Sequence, residues 1–338
     1  MRALSRRPHL ATFLSVLIAG GTVVAIAASD SPRALWRTFE SIQPIWLLAA
    51  VGAELVAYLG YALAYRATIR AKGQRSMSLI LAIRLVVAGF GPFIPLGGFA
   101  FDRQALRSVN RSRRTVRRQV LALGVIEYGL LAPAACVCAL ILLLESGQAS
   151  LALTLPWVFG VPLGFALAWW ATQPRILRRF QGSRSRVGRS IGELLGGIEI
   201  LRTVVLRPLE RPGALVGMAV YWGAEIACLA FALLCFGVEL STPALVIAYA
   251  TGYAASRRSL PLGGAGITEA LLTLSLIWVH VPATDALLSV VAYRVVNFLA
   301  PALPGLLVHS KLVPLLEGDG IDVTASPSAT APGSSTSQ

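Results

Sequence analysis

Charge is what this chain most lacks. Asp, Glu, Lys and Arg make up 14% of its 338 residues, against roughly a quarter in a soluble domain, while 56% of the residues are hydrophobic. That ratio excludes a soluble globular fold, because most of the chain must face lipid or other apolar segments. Acids are scarcer than bases, 16 against 30, giving a net charge of +14. The excess does not imply nucleic acid as a partner: the arginines fall in short runs between apolar stretches, and no soluble domain remains to present a basic face. Histidine and cysteine are also few. His9, His280 and His309 sit at segment ends without ligand spacing, and Cys136, Cys138, Cys228 and Cys235 lie inside apolar segments, where a thiol acts as a small hydrophobe. Neither a disulfide framework nor a metal centre is expected, and no cofactor is called for. A phosphate-cradling nucleotide loop is missing too, so ATP is not the expected source of work.

Present instead are apolar runs of spanning length. Stretches at 10–28, 44–65, 119–144, 151–172, 213–237 and 284–309 each suffice for a hydrocarbon core of about 30 Å, which predicts six full crossings. The first follows Arg2, Arg6 and Arg7 and ends at Ala25-Ile26-Ala27; at this length it reads as a retained helix rather than a cleaved signal. Two further apolar regions, 79–101 and 243–281, are interrupted by Gly and Pro near their centres.

The positive-inside rule sets the topology. Arg66, Arg70, Lys72 and Arg75 follow the helix at 44, six arginines from Arg107 to Arg118 precede or open the one at 119, and nine lie between Arg175 and Arg211; 145–150 and 238–242 hold none. With basic loops cytoplasmic, both flanks of 79–101 are inside and both flanks of 243–281 outside. Each region is then a re-entrant hairpin, entered from opposite faces. Arg257 and Arg258 allow a second version, in which 243–256 and 266–281 are two short crossings, since a charge at the bilayer centre costs roughly 2.5–3.5 kcal/mol. Both versions leave the N- and C-termini cytoplasmic, in an inner membrane.

The connection 173–212 carries Ile191, Leu194, Ile198, Leu201 and Val205 at helical spacing, with Ser190 and Glu193 spaced as a capping box. An amphipathic helix on the cytoplasmic side is expected, either lying on anionic headgroups or packed on the bundle. After Lys311 the chain turns to Ser, Thr, Pro, Ala and Gly, which cannot bury a core, so 311–338 reads as a disordered tail behind a membrane domain of 1–310.

An internal repeat organises that domain. Pro95-Leu96-Gly97-Gly98 recurs 166 positions later as Pro261-Leu262-Gly263-Gly264, and the helices at 44 and 119 recur at nearly the same offset, at 213 and 284. Repeat one covers about 10–145 and repeat two about 151–310. By the arginine count the mates run in opposite directions, so the expected fold is all-α: a polytopic membrane helix bundle of two inverted-topology repeats, six full crossings plus two broken or re-entrant helical hairpins. Transporters are commonly built this way, with broken helices meeting near the midplane to bind a substrate's charged groups. Irregular backbone at that depth persists only where it is buried in protein or lines a water-filled cavity.

Glu54, Arg84, Asp102, Arg103, Glu127, Glu225, Glu269 and Arg294 fall within or beside apolar segments, where each needs a partner or water. The repeat offset sets Arg103 opposite Glu269 and Glu127-Tyr128 opposite Tyr293-Arg294, which predicts a Glu127–Arg294 pair across the pseudo-two-fold axis. Arg84, Arg103 and Arg294, with Arg257 or Arg258, offer guanidinium groups of the right geometry for a phosphate. Glu127 and Glu269 would hold those arginines or receive a cationic headgroup.

Gly263-Gly264-Ala265-Gly266-Ile267-Thr268-Glu269, followed by Tyr293-Arg294, resembles the Pro-Gly-Gly-x-Gly-x-x-Glu and downstream Arg pattern of the lysylphosphatidylglycerol synthase/flippase transmembrane family. Gly91-Pro92 through Arg103 is similar to its first-half counterpart, and the similarity covers about 10–310. Leu262 stands where that family often has a second proline, and no soluble aminoacyl-transferase domain follows residue 310. The resemblance therefore implies the flippase-like half without lysyl-lipid synthesis, binding or moving an anionic or aminoacylated phospholipid or a polyprenyl-linked glycolipid. The expected translocation pathway is Arg84, Pro95, Gly97, Gly98, Arg103, Glu127, Arg257, Arg258, Pro261, Gly263, Gly264, Gly266, Glu269, Tyr293 and Arg294, with no catalytic residue. Two other classes stay open. One is a membrane-embedded glycosyltransferase with a lipid-phosphate donor, for which only Asp30 and Glu40 flank a short first loop. The other is a non-transporting partner that docks a cytoplasmic lipid-modifying enzyme on 173–212. Self-association into a homo-oligomer is also left open.

Overall fold

The computed structural model describes residues 42–69, 77–90, 102, 106, 113–145, 150–181, 185, 187–188, 191–192, 194–199, 212–252 and 266–299. Among them there is no strand. The helices, in chain order, are α1 (Pro44–Ile69), α2 (Leu79–Phe90), α3 (Arg113–Leu144), α4 (Leu151–Ala171), α5 (Pro174–Gln181), α6 (Pro212–Leu234), α7 (Thr242–Gly252), α8 (Ile267–Ile277) and α9 (Ala283–Arg294), the last continuing into a π-helical turn at Val295–Leu299.

Four of these, α1, α3, α4 and α6, are long and apolar enough to cross a membrane, and their positions follow the hydropathy closely. Proline opens α1, α5 and α6, where its missing N–H costs nothing. Ser150 caps α4 by accepting from the Ala152 N–H at 3.3 Å. Helix α3 starts six residues before its apolar span, at Arg113, because arginine is a good helix former and the extra turns project beyond the hydrocarbon. The predicted crossing at 284–309 is present as α9 and its π turn as far as Leu299. The crossing at 10–28, both Pro-Leu-Gly-Gly breaks and the tail lie outside the described residues.

Two backbone hydrogen bonds align the helix ends. Gln43 N–H donates to Cys235 O at 3.1 Å, setting the start of α1 beside the end of α6, and Ser150 N–H donates to Trp278 O at 3.2 Å, setting the start of α4 beside the end of α8. Helices α1 and α6, the proposed repeat mates, therefore run antiparallel. Their contact is unusually close: a Cβ on Gly60 would lie 2.7 Å from Tyr221 N, and one on Gly217 would lie 2.5 Å from Ala64 N. In a membrane, where lipid tails are as apolar as leucine, such backbone approach through small residues is what holds helices together.

Helices α7 and α8 are only 11 residues each, about 16 Å at 1.5 Å per residue, or half the core. Trp157 Nε1 donates to Thr251 Oγ1 at 2.7 Å. Trp157 lies six residues inside α4, which puts the end of α7 about 9 Å below the arginine-poor face. Helix α8 ends on that same face at Trp278, beside Ser150. The two are packed together, Gly252 against Leu272 with no room for a Cβ. The described parts of 243–281 thus have their outer ends on one face, and residues 253–265 between them lie outside the described residues.

At the bundle's edge, α4 is nearly uncovered, with 11% of its span buried. The residues described between 191 and 199 are helical, and a Cβ on Gly197 would meet Leu121 Cβ of α3 at 2.9 Å. At this point the amphipathic connection lies on the bundle.

Candidate functional site

Polar side chains inside a membrane bundle must satisfy one another, and here they gather at one depth. Counted from the arginine-poor ends of their helices, Glu269, Glu225, Glu54 and Arg294 lie about 12, 14, 15 and 17 Å down, near the middle of the core. All of α1, α6, α8 and α9 contribute.

Asn297 is the hub. Its Nδ2 donates to Glu54 Oε1 and Oε2 at 2.9 and 3.0 Å and to Glu225 Oε2 at 3.0 Å. Glu225 Oε2 also accepts from Tyr293 OH at 2.8 Å and Tyr249 OH at 3.3 Å. All five residues are buried. The π turn that carries Asn297 is a known way of redirecting a side chain at a functional site; here it lets an amide on α9 reach carboxylates on both repeat mates.

Beside the hub is an ion pair. Arg294 Nε donates to Glu269 Oε1 at 2.6 Å, with side chains 7% and 12% exposed. The other carboxylate oxygen of Glu269 accepts the backbone N–H of Gly266. Gly266 is the N-cap of α8 at φ +87°, a conformation glycine adopts without strain. Glycine has no side chain to complete a reciprocal cap, so the acid three residues on does the capping alone. This explains the Gly-x-x-Glu spacing: the carboxylate fastens the restarting helix with one oxygen and holds the arginine with the other.

A further carboxylate lies deeper toward the arginine-rich face. Glu127 on α3 accepts from Tyr61 OH at 3.2 Å, and its backbone oxygen accepts Trp222 Nε1 at 2.7 Å. Asp102, also buried, lies within Coulombic reach of Glu127 and Tyr65. Edge-to-face and tilted rings connect Glu127 to the hub through Tyr61, Tyr221, Trp222, Tyr249 and Tyr293, with centroids 4.6–6.4 Å apart. Among the described residues no group of three or more His, Cys, Asp or Glu is placed to hold a metal.

Gly266, Glu269, Tyr293 and Arg294 come together. Glu127 is buried nearby, and Arg294 is ion-paired with Glu269: α8 and α9 are adjacent in one repeat, and the five residues between Ile277 and Ala283 set them side by side. Arg84 is exposed on α2. Pro95, Gly97, Gly98, Arg103, Arg257, Arg258, Pro261, Gly263 and Gly264 lie outside the described residues. Sequence reasoning missed Asn297, Tyr249 and Tyr61, and left Glu54 and Glu225 unassigned. A signal for the last two existed: Gly52-Ala53-Glu54 recurs as Gly223-Ala224-Glu225, one on each repeat mate.

A polytopic helical bundle with long apolar spans, antiparallel repeat mates and a buried polar hub at mid-depth defines a membrane-embedded protein. Residues 12–305 match the family described as the lysylphosphatidylglycerol synthase TM region, and the chain belongs to that family. No curated protein matches the chain.

Proposed function

We propose that the chain is a lipid translocase, not an enzyme, which binds the headgroup of a phospholipid or polyprenyl-linked lipid and moves it across an inner membrane whose cytoplasmic side meets the arginine-rich face. The observation that carries this reading is the Asn297–Glu54–Glu225 hub with the adjoining Glu269–Arg294 pair. It lies at mid-depth, where α8 begins at the Gly266 cap. A bundle needing only rigidity has cheaper packing available, since a buried ion pair is at best weak evidence for stability. Charged and amide groups at that level supply the polar waypoint a headgroup lacks in hydrocarbon, and Arg294 has the fork geometry that suits phosphate. Membership of a family named for a phospholipid synthase's membrane region supports lipid as the substrate class.

The test is reconstitution in vesicles with fluorescent lipids of anionic, aminoacylated, zwitterionic and polyprenyl-phosphate headgroups. Leaflet exchange should exceed that of empty vesicles for at least one of them. Arg294→Lys keeps the charge and loses the fork, and should slow exchange by about tenfold, equivalent to about 1.4 kcal/mol. Exchange equal to empty vesicles for every headgroup overturns the reading.

A further inference from the structure

Away from the hub, α3 and α4 do not close against each other. Between them lies an apolar groove of about 700 Å³ that runs from Val120 to Ala132 on α3 and from Ala168 back to Gly160 on α4, with Ile198 at one end. The glycines on α4 are not there for close packing, since a Cβ on Gly160 or Gly164 meets nothing within 4 Å.

We infer that this groove binds one hydrocarbon tail of an anionic phospholipid from the leaflet at the arginine-rich face. Three observations fix the occupant. The first is depth: the apolar span of α3 begins at Gln119 and that of α4 ends at Ala171, so the groove opens at the boundary and extends about 17–20 Å inward, a little over the half-thickness of the core and hence one leaflet's tail. The second is chemistry: the lining is apolar and a void there would forfeit dispersion contacts, while water would find too few polar partners to stay. The third is charge: α5 follows α4 at the groove's mouth and carries Arg175, Arg178 and Arg179, all exposed, at the level of the headgroup phosphate. The inference goes beyond translocation, because the site holds its lipid whether or not the chain moves one.

The full-length protein in nanodiscs is labelled with phosphatidylglycerol or phosphatidylcholine bearing a photoreactive group midway along one tail, and the modified peptides are mapped. Labelling should concentrate on 120–132 and 160–168 and be stronger with phosphatidylglycerol. Gly160→Leu with Gly164→Leu fills open space, so the variant folds; groove labelling should fall to the level at exposed Leu55 and Leu59 of α1, whose own labelling stays unchanged. Replacing Arg175, Arg178 and Arg179 by Gln should abolish the headgroup preference and leave the groove labelled. Uniform labelling of the apolar surface overturns the inference, as does groove labelling that survives the leucines. Equal labelling by both headgroups overturns the anionic assignment, and an unlabelled groove beside labelled Leu55 and Leu59 overturns the inference by showing that protein fills it.

Discussion

Glycine is used in opposite ways in the two large helix pairs of this protein. Between α1 and α6, Gly60 and Gly217 let two backbones meet so closely that an added methyl group would overlap a main-chain atom. Between α3 and α4, Gly160 and Gly164 face open space. The small residue draws helices together in one place and keeps a groove clear in the other, and the sequence, which shows a glycine every few residues in both pairs, does not distinguish them. The difference follows from where the polar hub lies: α1 and α6 must both reach Asn297 and are pulled into register, whereas α4 joins the hub nowhere among the described contacts.

That contrast can be broken by substitution. The largest effect is expected for Gly217→Leu, for which no rotamer relieves a Cβ 2.5 Å from Ala64 N; folded, monodisperse protein should be lost on size-exclusion in detergent. Next is Arg294→Met, which leaves Glu269 buried without its ion partner and should cost about 3–5 kcal/mol. Adding Glu269→Gln should restore part of that, measured by denaturant unfolding in micelles; no recovery in the double variant would mean the pair is not coupled. Asn297→Leu removes the amide shared by two carboxylates and, on the scale of interhelical hydrogen bonds in membranes, should cost about 0.6–1.7 kcal/mol. Smallest is Gly164→Leu, expected to leave the unfolding midpoint unchanged or slightly raised. If Gly164→Leu proved as damaging as Gly217→Leu, the two helix pairs would not differ as described.

Much of this fold was legible in the sequence. Pro44, Leu151 and Pro212 begin helices where hydropathy and proline placement predict, because length and apolarity alone decide a spanning helix. The half-length α7 and α8 flank the segment that Pro261 and Gly263 interrupt. The site was less legible. Repeat symmetry pointed from Arg294 to Glu127, but symmetry relates positions and not partners, and the short turn after α8 delivers Glu269 to Arg294. Asn297 went unnoticed because it carries no charge, although an amide nitrogen with two hydrogens can donate to two carboxylates.

The cap at Gly266 makes the three-residue step to Glu269 a ruler. One carboxylate oxygen is tied to the N–H of the N-cap residue Gly266, so the acid's position is fixed by where α8 begins. Inserting or deleting a single residue between the two would turn the carboxylate by about 100° around the helix axis and carry it off Arg294. The break and the charge are therefore inherited as one unit of spacing, which can tolerate changes of residue between its ends but not a change of count.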